Sequence, residues 1–105
     1  MQHLTPSELK VRLEKGDPPV LLDVREEWEL MRCKLPGTTW IPMGQIVTRV
    51  NELDKNKETV VVCHHGIRSW QVAKFLESVG FGDVINLTGG VDGWAKQIDP
   101  AMPLY

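Results

Sequence analysis

The chain has 105 residues, 42% of them hydrophobic and 25% charged, with a formal net charge of -2, which fits a single globular domain over residues 1–105. No basic stripe invites nucleic acid, and no apolar run approaches the roughly 18 residues of a membrane span. The opening MQHLTPSEL lacks the basic and apolar regions of a signal peptide, and two cysteines make no disulfide framework, so a cytoplasmic protein with Cys33 and Cys63 as free thiols is expected.

Thr5, Pro6 and Glu8 form a capping-box pattern with proline at the first helical position; a helix is expected to start there and to stop at Gly16. Pro18 and Pro19 mark the entry to a short buried strand in PPVLLDVR. A short helix over 26–31, a turn at Pro36 and Gly37, and a brief strand near 39–41 follow. MGQIVTRVNEL reads as helix, with Ile46, Val47, Val50 and Leu53 on one side. After the polar DKNKE, TVVVC is the clearest strand, a continuous apolar run of the kind buried on both faces of a parallel sheet. From Arg68 the period turns helical: Val72, Phe75, Leu76 and Val79 share one face, and Gly80 ends it. DVINL reads as a further strand, GGVDGWAKQ as a loop leading into a last short helix, and DPAMPLY as an extended tail. Strands alternating with helices imply an α/β fold, a parallel sheet flanked by helices on both faces.

Cys63 then falls at the carboxyl end of a strand, where parallel sheets bind their ligands. The segment HHGIRS is too short to wander, so its N–H groups are expected to curl around the sulfur. Gly66 permits a backbone angle that other residues resist, and the helix near Arg68 brings the positive end of its dipole. With the Arg68 cation, these features favour the thiolate, a nucleophile that needs no dedicated base. The alternative role for Cys63 is a small hydrophobe closing a buried strand. His64 and His65, adjacent on a tight loop, read most simply as two exposed side chains. Zinc would need about four ligands in spaced pairs. Cys63, His64 and His65 crowd together and Cys33 is distant, so no metal is expected.

Four stretches then carry a family resemblance: LLDVRE (21–26), LPGTTWIP (35–42), CHHGIRS (63–69) and LTGGVDGW (87–94), in order along nearly the whole chain. Together they resemble the single-domain rhodaneses, sulfurtransferases that carry sulfur as a cysteine persulfide. The resemblance implies a five-stranded parallel sheet, and hence a short first strand near residues 2–4. It implies Cys63 as the sulfur acceptor, with His64, His65, Gly66, Ile67, Arg68 and Ser69 lending N–H groups to the persulfide's outer sulfur. Arg68 would face an anionic donor. Asp23 and Arg25 would support the site, or else form a structural ion pair, and Trp94 would pack in the core. The implied donor is thiosulfate or a protein persulfide, the implied acceptor a thiophile such as cyanide, and no cofactor is implied.

Two departures bear on substrate. Lys34 stands where the family often has histidine, and His64 where thiosulfate-using members often have arginine, which leaves the donor open. The ending WAKQIDPAMPLY resembles rhodanese domains fused behind adenylyltransferases of sulfur transfer, and implies a sulfur-carrier protein as partner. Related phosphatases and arsenate reductases place five residues between cysteine and arginine. Four stand between Cys63 and Arg68, a ring better sized for one sulfur than for a phosphate. A non-catalytic rhodanese module usually lacks the cysteine that this chain keeps.

Overall fold

β4 (Thr59–Val62) lies at the centre of a computed structural model that describes residues 1–105. Around it the five-stranded sheet runs in the order β1 (Gln2–Leu4), β5 (Val84–Leu87), β4, β2 (Val20–Asp23) and β3 (Thr38–Trp40), with every pairing parallel. This is the implied five-stranded α/β arrangement, first strand included. All four β4 residues are buried, because helices cover both faces. Successive side chains point to opposite faces. Val60 and Val62 join Leu9, Leu21, Ile85, Leu87 and Trp94 in one core cluster. Val61 and Cys63 join Leu22, Val24, Val72 and Leu76 in the other. Full burial of one such aliphatic side chain contributes about 1.5–3 kcal/mol. Trp94 is therefore core.

The helices are α1 (Pro6–Glu14), α2 (Glu27–Leu30), α3 (Ile46–Arg49), α4 (Ile67–Ser78) and α5 (Gly90–Gln97). At the start of α1 the capping box is complete. The Glu8 N–H donates to Thr5 Oγ1 at 3.2 Å, and the Thr5 N–H donates to Glu8 Oε1 at 2.9 Å. Such a cap stabilises a helix by about 1 kcal/mol. On α4, Val72 and Leu76 are buried, with Phe75 and Val79 packed at their edge, as the spacing predicts.

Three expectations need correction. The segment after residue 42 is not one helix: 3-10 turns at Met43–Gln45 and Val50–Glu52 flank a single α turn. Ile46 is buried there, but Val47 is 69% exposed, since consecutive helical residues sit about 100° apart and only one can face the core. The loop before the last helix shrinks to Thr88 and Gly89, because α5 begins at Gly90. The tail does not simply extend. It turns at Asp99, whose backbone oxygen accepts the Met102 N–H at 3.0 Å. Met102 enters the core and the chain returns Tyr105 to the carboxyl end of the sheet. No helix is long and apolar enough to cross a membrane.

Candidate active site

Cys63 follows β4 directly and is 1% exposed. Its Sγ accepts the Gly66 N–H at 3.1 Å and lies 3.3 Å from Ser69 Oγ. The turn that brings Gly66 back over the sulfur needs φ +102°, a left-handed angle that L side chains rarely adopt. A side chain at Gly66 would also crowd the Gly89 nitrogen at 3.2 Å and the Leu87 oxygen at 3.3 Å. Gly66 is the N-cap of α4, so the twelve-residue helix aims its positive end at the thiol.

The far side of the loop is tied to α5. Val91 N–H donates to the Cys63 oxygen at 2.9 Å and Asp92 N–H to the His64 oxygen at 3.1 Å. Across a planar trans peptide the carbonyl and the next N–H point in opposite directions. Holding those two oxygens against α5 therefore turns the amides of His64 and His65 away from it. This contact leaves no room for a side chain at Gly90, whose Cβ would collide with the Cys63 and His64 carbonyls.

Behind the thiol, fully buried Ser69 donates its hydroxyl to Asn86 Oδ1. The Asn86 amide donates to the Gly66 oxygen at 3.3 Å and lies 3.4 Å from His3 Nδ1, across the β1–β5 register. Sequence reading passed over Asn86. Its signal was present: one amide in the otherwise apolar strand VINL, buried at 5% exposure.

Asp23 and Arg25 are both fully buried and pair with each other. Arg25 Nε donates to Asp23 Oδ1 at 3.0 Å and Nη2 donates to Oδ2 at 2.8 Å. The remaining guanidinium donors reach the Cys33 oxygen at 2.8 Å, Tyr105 Oη at 2.9 Å and the Glu29 backbone oxygen at 3.4 Å. Burial works against the Arg25 charge, but the hydrogen bonds to Asp23 and Tyr105 outweigh it and hold the pKa above its ordinary value. Asp23 and Arg25 thus form a buried ion pair that ties the Cys33 segment and Tyr105 together.

Arg68 lines the cavity as one half of an ion pair. Its Nη1 and Nη2 donate to Glu29 Oε1 and Oε2 at 2.7 and 2.8 Å. Glu29, on α2, also accepts the Tyr105 hydroxyl at 2.7 Å and the Glu26 N–H at 3.0 Å. Burial would raise its pKa, but Arg68, the Glu26 amide and Tyr105 together lower it to about 2. Neither Glu29 nor Tyr105 stood out in the sequence, because both reach the loop from distant segments.

The histidines are not both exposed: His64 is half-buried. His64 is sandwiched, with ring centroids 3.9 Å from Tyr105 at 7° and 3.9 Å from His65 at 32°. Burial first, and then the neighbouring His65, lower its pKa below the ordinary value. His65 is exposed, 3.8 Å from Asp92, which Lys96 holds at 3.0 Å. Ligand atoms of His64, His65 and Asp92 fall within 4.8 Å of one another, although Asp92 already has its cation. Cys63, His64, His65, Ile67 and Arg68 line an open cavity of about 280 Å³.

A thiol at the carboxyl end of the central strand, tied between two helix starts, defines a parallel α/β protein with a cysteine loop. The chain belongs to the rhodanese-like domain family, whose model matches residues 5–97. It is 34% identical over 88 residues to a sulfurtransferase of Allochromatium vinosum, covering 84% of this chain and 82% of that one. It is 30% identical to the adenylyltransferase and sulfurtransferase MOCS3 of Arabidopsis thaliana, over 97% of this chain but 25% of the relative. The crystal structure of a rhodanese-like domain protein from Staphylococcus aureus superimposes with a TM-score of 0.85 at 35% identity, covering 90% of this chain and 91% of that one. The chain spans only about a quarter to a third of its larger relatives.

Proposed function

We propose that the protein is a sulfurtransferase that carries sulfane sulfur as a persulfide on Cys63. The donor is thiosulfate or a protein persulfide, and the acceptor is a thiophile, cyanide in vitro or a sulfur-carrier protein. The observation that carries this reading is the Gly66 N–H at 3.1 Å from a buried sulfur at a strand's end. In the first half-reaction the thiolate attacks the outer sulfur of thiosulfate. The S–S bond of the donor breaks and its electron pair leaves on sulfite. Charge balances: thiolate and a dianion become a persulfide anion and sulfite. Cyanide then takes the outer sulfur as thiocyanate and returns the thiolate. Names of relatives that include sulfurtransferase support the chemistry, and the MOCS3 likeness supports a carrier protein as partner.

Incubation of the reduced protein with thiosulfate should add the mass of one sulfur atom. Cyanide should remove it as thiocyanate, and Cys63→Ser should never acquire it. A protein that gains no sulfur from thiosulfate or from small organic persulfides would instead be a binding module.

A further inference from the structure

The charge at the mouth of the cavity is set by a partner that does not line it. Arg68 is the lysine or arginine among the five lining residues, and Glu29 accepts from both of its terminal nitrogens. Glu29 is 2% exposed, and four donors converge on its carboxylate: two from Arg68, one from Tyr105 and one from the Glu26 backbone. The direction of the Tyr105 bond is fixed, because Arg25 already donates to the phenol oxygen and the phenol proton must go to Glu29. Arg25, which donates to Tyr105, is paired with Asp23, and Lys96 is paired with Asp92 beside His65. The ion pairs close on themselves. Beyond them the lining offers Ile67, 71% exposed, and the exposed His65 ring.

We propose that Glu29 is a specificity-determining residue: held by Tyr105, it cancels the Arg68 charge beside Cys63 and so discriminates against dianionic sulfur donors. This rests on the persulfide reading of Cys63 and says which donors that site turns away. A fixed carboxylate placed 2.7 Å from the cation takes two of the five guanidinium N–H donors and offsets the charge, so a second anion meets a neutralised pair through the donors that remain. The simpler alternative is that Glu29 only tethers α2 to α4.

The test compares two donors that carry the same transferable outer sulfur but differ by one charge, thiosulfate and methanethiosulfonate. Glu29→Gln keeps the shape of the side chain and removes its charge. It should lower KM for thiosulfate by about tenfold and for methanethiosulfonate by about threefold, since the electrostatic term scales with donor charge. Both gains should shrink as salt rises, kcat should move less than KM, and Glu29→Gln combined with Arg68→Gln should lose the gain. Tyr105→Phe keeps the ring on His64 and drops only the hydroxyl, so it should shift the donor ratio the same way by a smaller factor. It decides the matter if Glu29→Gln does not fold. An equal change for both donors, or none for either, would make Glu29 a tether and overturn the proposal. A wild-type protein that takes sulfur from neither donor would show no mass gain, which overturns the persulfide reading itself and this proposal with it.

Discussion

Cys63 is buried with an N–H on its sulfur, whereas Cys33 is half-buried against the core and meets Arg25 through its carbonyl oxygen. Substitution should therefore separate the two thiols. Cys63→Ser should abolish turnover, because a hydroxyl is a far poorer nucleophile and forms no persulfide. Cys33→Ser should leave most of it, since the bond to Arg25 uses the backbone. Thiocyanate formation by the two variants checks this, and comparable losses in both would assign Cys33 a chemical part, such as a resolving thiol. The difference between them was legible because Cys63 and its donors are neighbours in the chain. Asn86 left one sign, an amide in an apolar strand, but Glu29 and Tyr105 were not legible as site residues. They meet the loop across separations of 39 and 41 residues, and no local pattern registers a contact of that kind. Arg68 shows the same limit from the other side: its position in the motif was plain, its partner was not.

At the scale of elements, the fold works by pressing one helix start against the back of another's loop. β2, β4, β5 and α4 were readable from their apolar patterns, because burial on a sheet or a helix face constrains the residues, whereas the mostly exposed β1 came only with the family resemblance. The role of α5 was not readable, since a run of glycines signals backbone freedom without saying what comes close. Here the reason is the contact of Gly90 with the Cys63 and His64 carbonyls, at φ +59°. Gly90→Ala should force α5 off the loop, free two carbonyl oxygens and tilt the amides that face the sulfur. The expected result is a stability loss of roughly 2–4 kcal/mol and a fall in turnover at least as large as the fall in folded fraction. Gly82→Ala is the control, since nothing lies within 4 Å of a Cβ there and no left-handed angle is required. Denaturant melts with thiocyanate assays on both variants decide it. Equal behaviour of the two would mean that the α5 contact is slack.

On the scale of the whole molecule, the tail closes a path from the last residue to the loop. Tyr105 lies flat on His64 and hydrogen-bonds both Arg25 and Glu29, so removing its side chain should change the acid response in two places. The Glu29 carboxyl is held at about 2, well below its ordinary value of 4.5, by Arg68, the Glu26 amide and Tyr105. Its contribution to stability is therefore complete above about 4.5 and is lost as pH falls toward about 2. Tyr105→Ala takes away one of the donors that lower this pKa, so the loss should still begin near 4.5 but be smaller and be complete at a higher pH. His64 is also depressed, below 6.5, by burial first and by His65 second. The unfolded chain then binds a proton more readily than the folded one, and stability declines as pH drops below about 6.5. Uncovering the ring should raise the folded pKa of His64 and flatten that decline. Denaturant melts from pH 7 to 2, with the His64 ring signals followed by NMR, give both readings on the same variant. Tyr105→Ala should show a smaller acid limb from Glu29 that ends at higher pH, a shallower slope near neutrality from His64, and a His64 titration moved toward 6.5. If the His64 signals titrate alike with and without the Tyr105 ring, the tail does not cover the loop in solution.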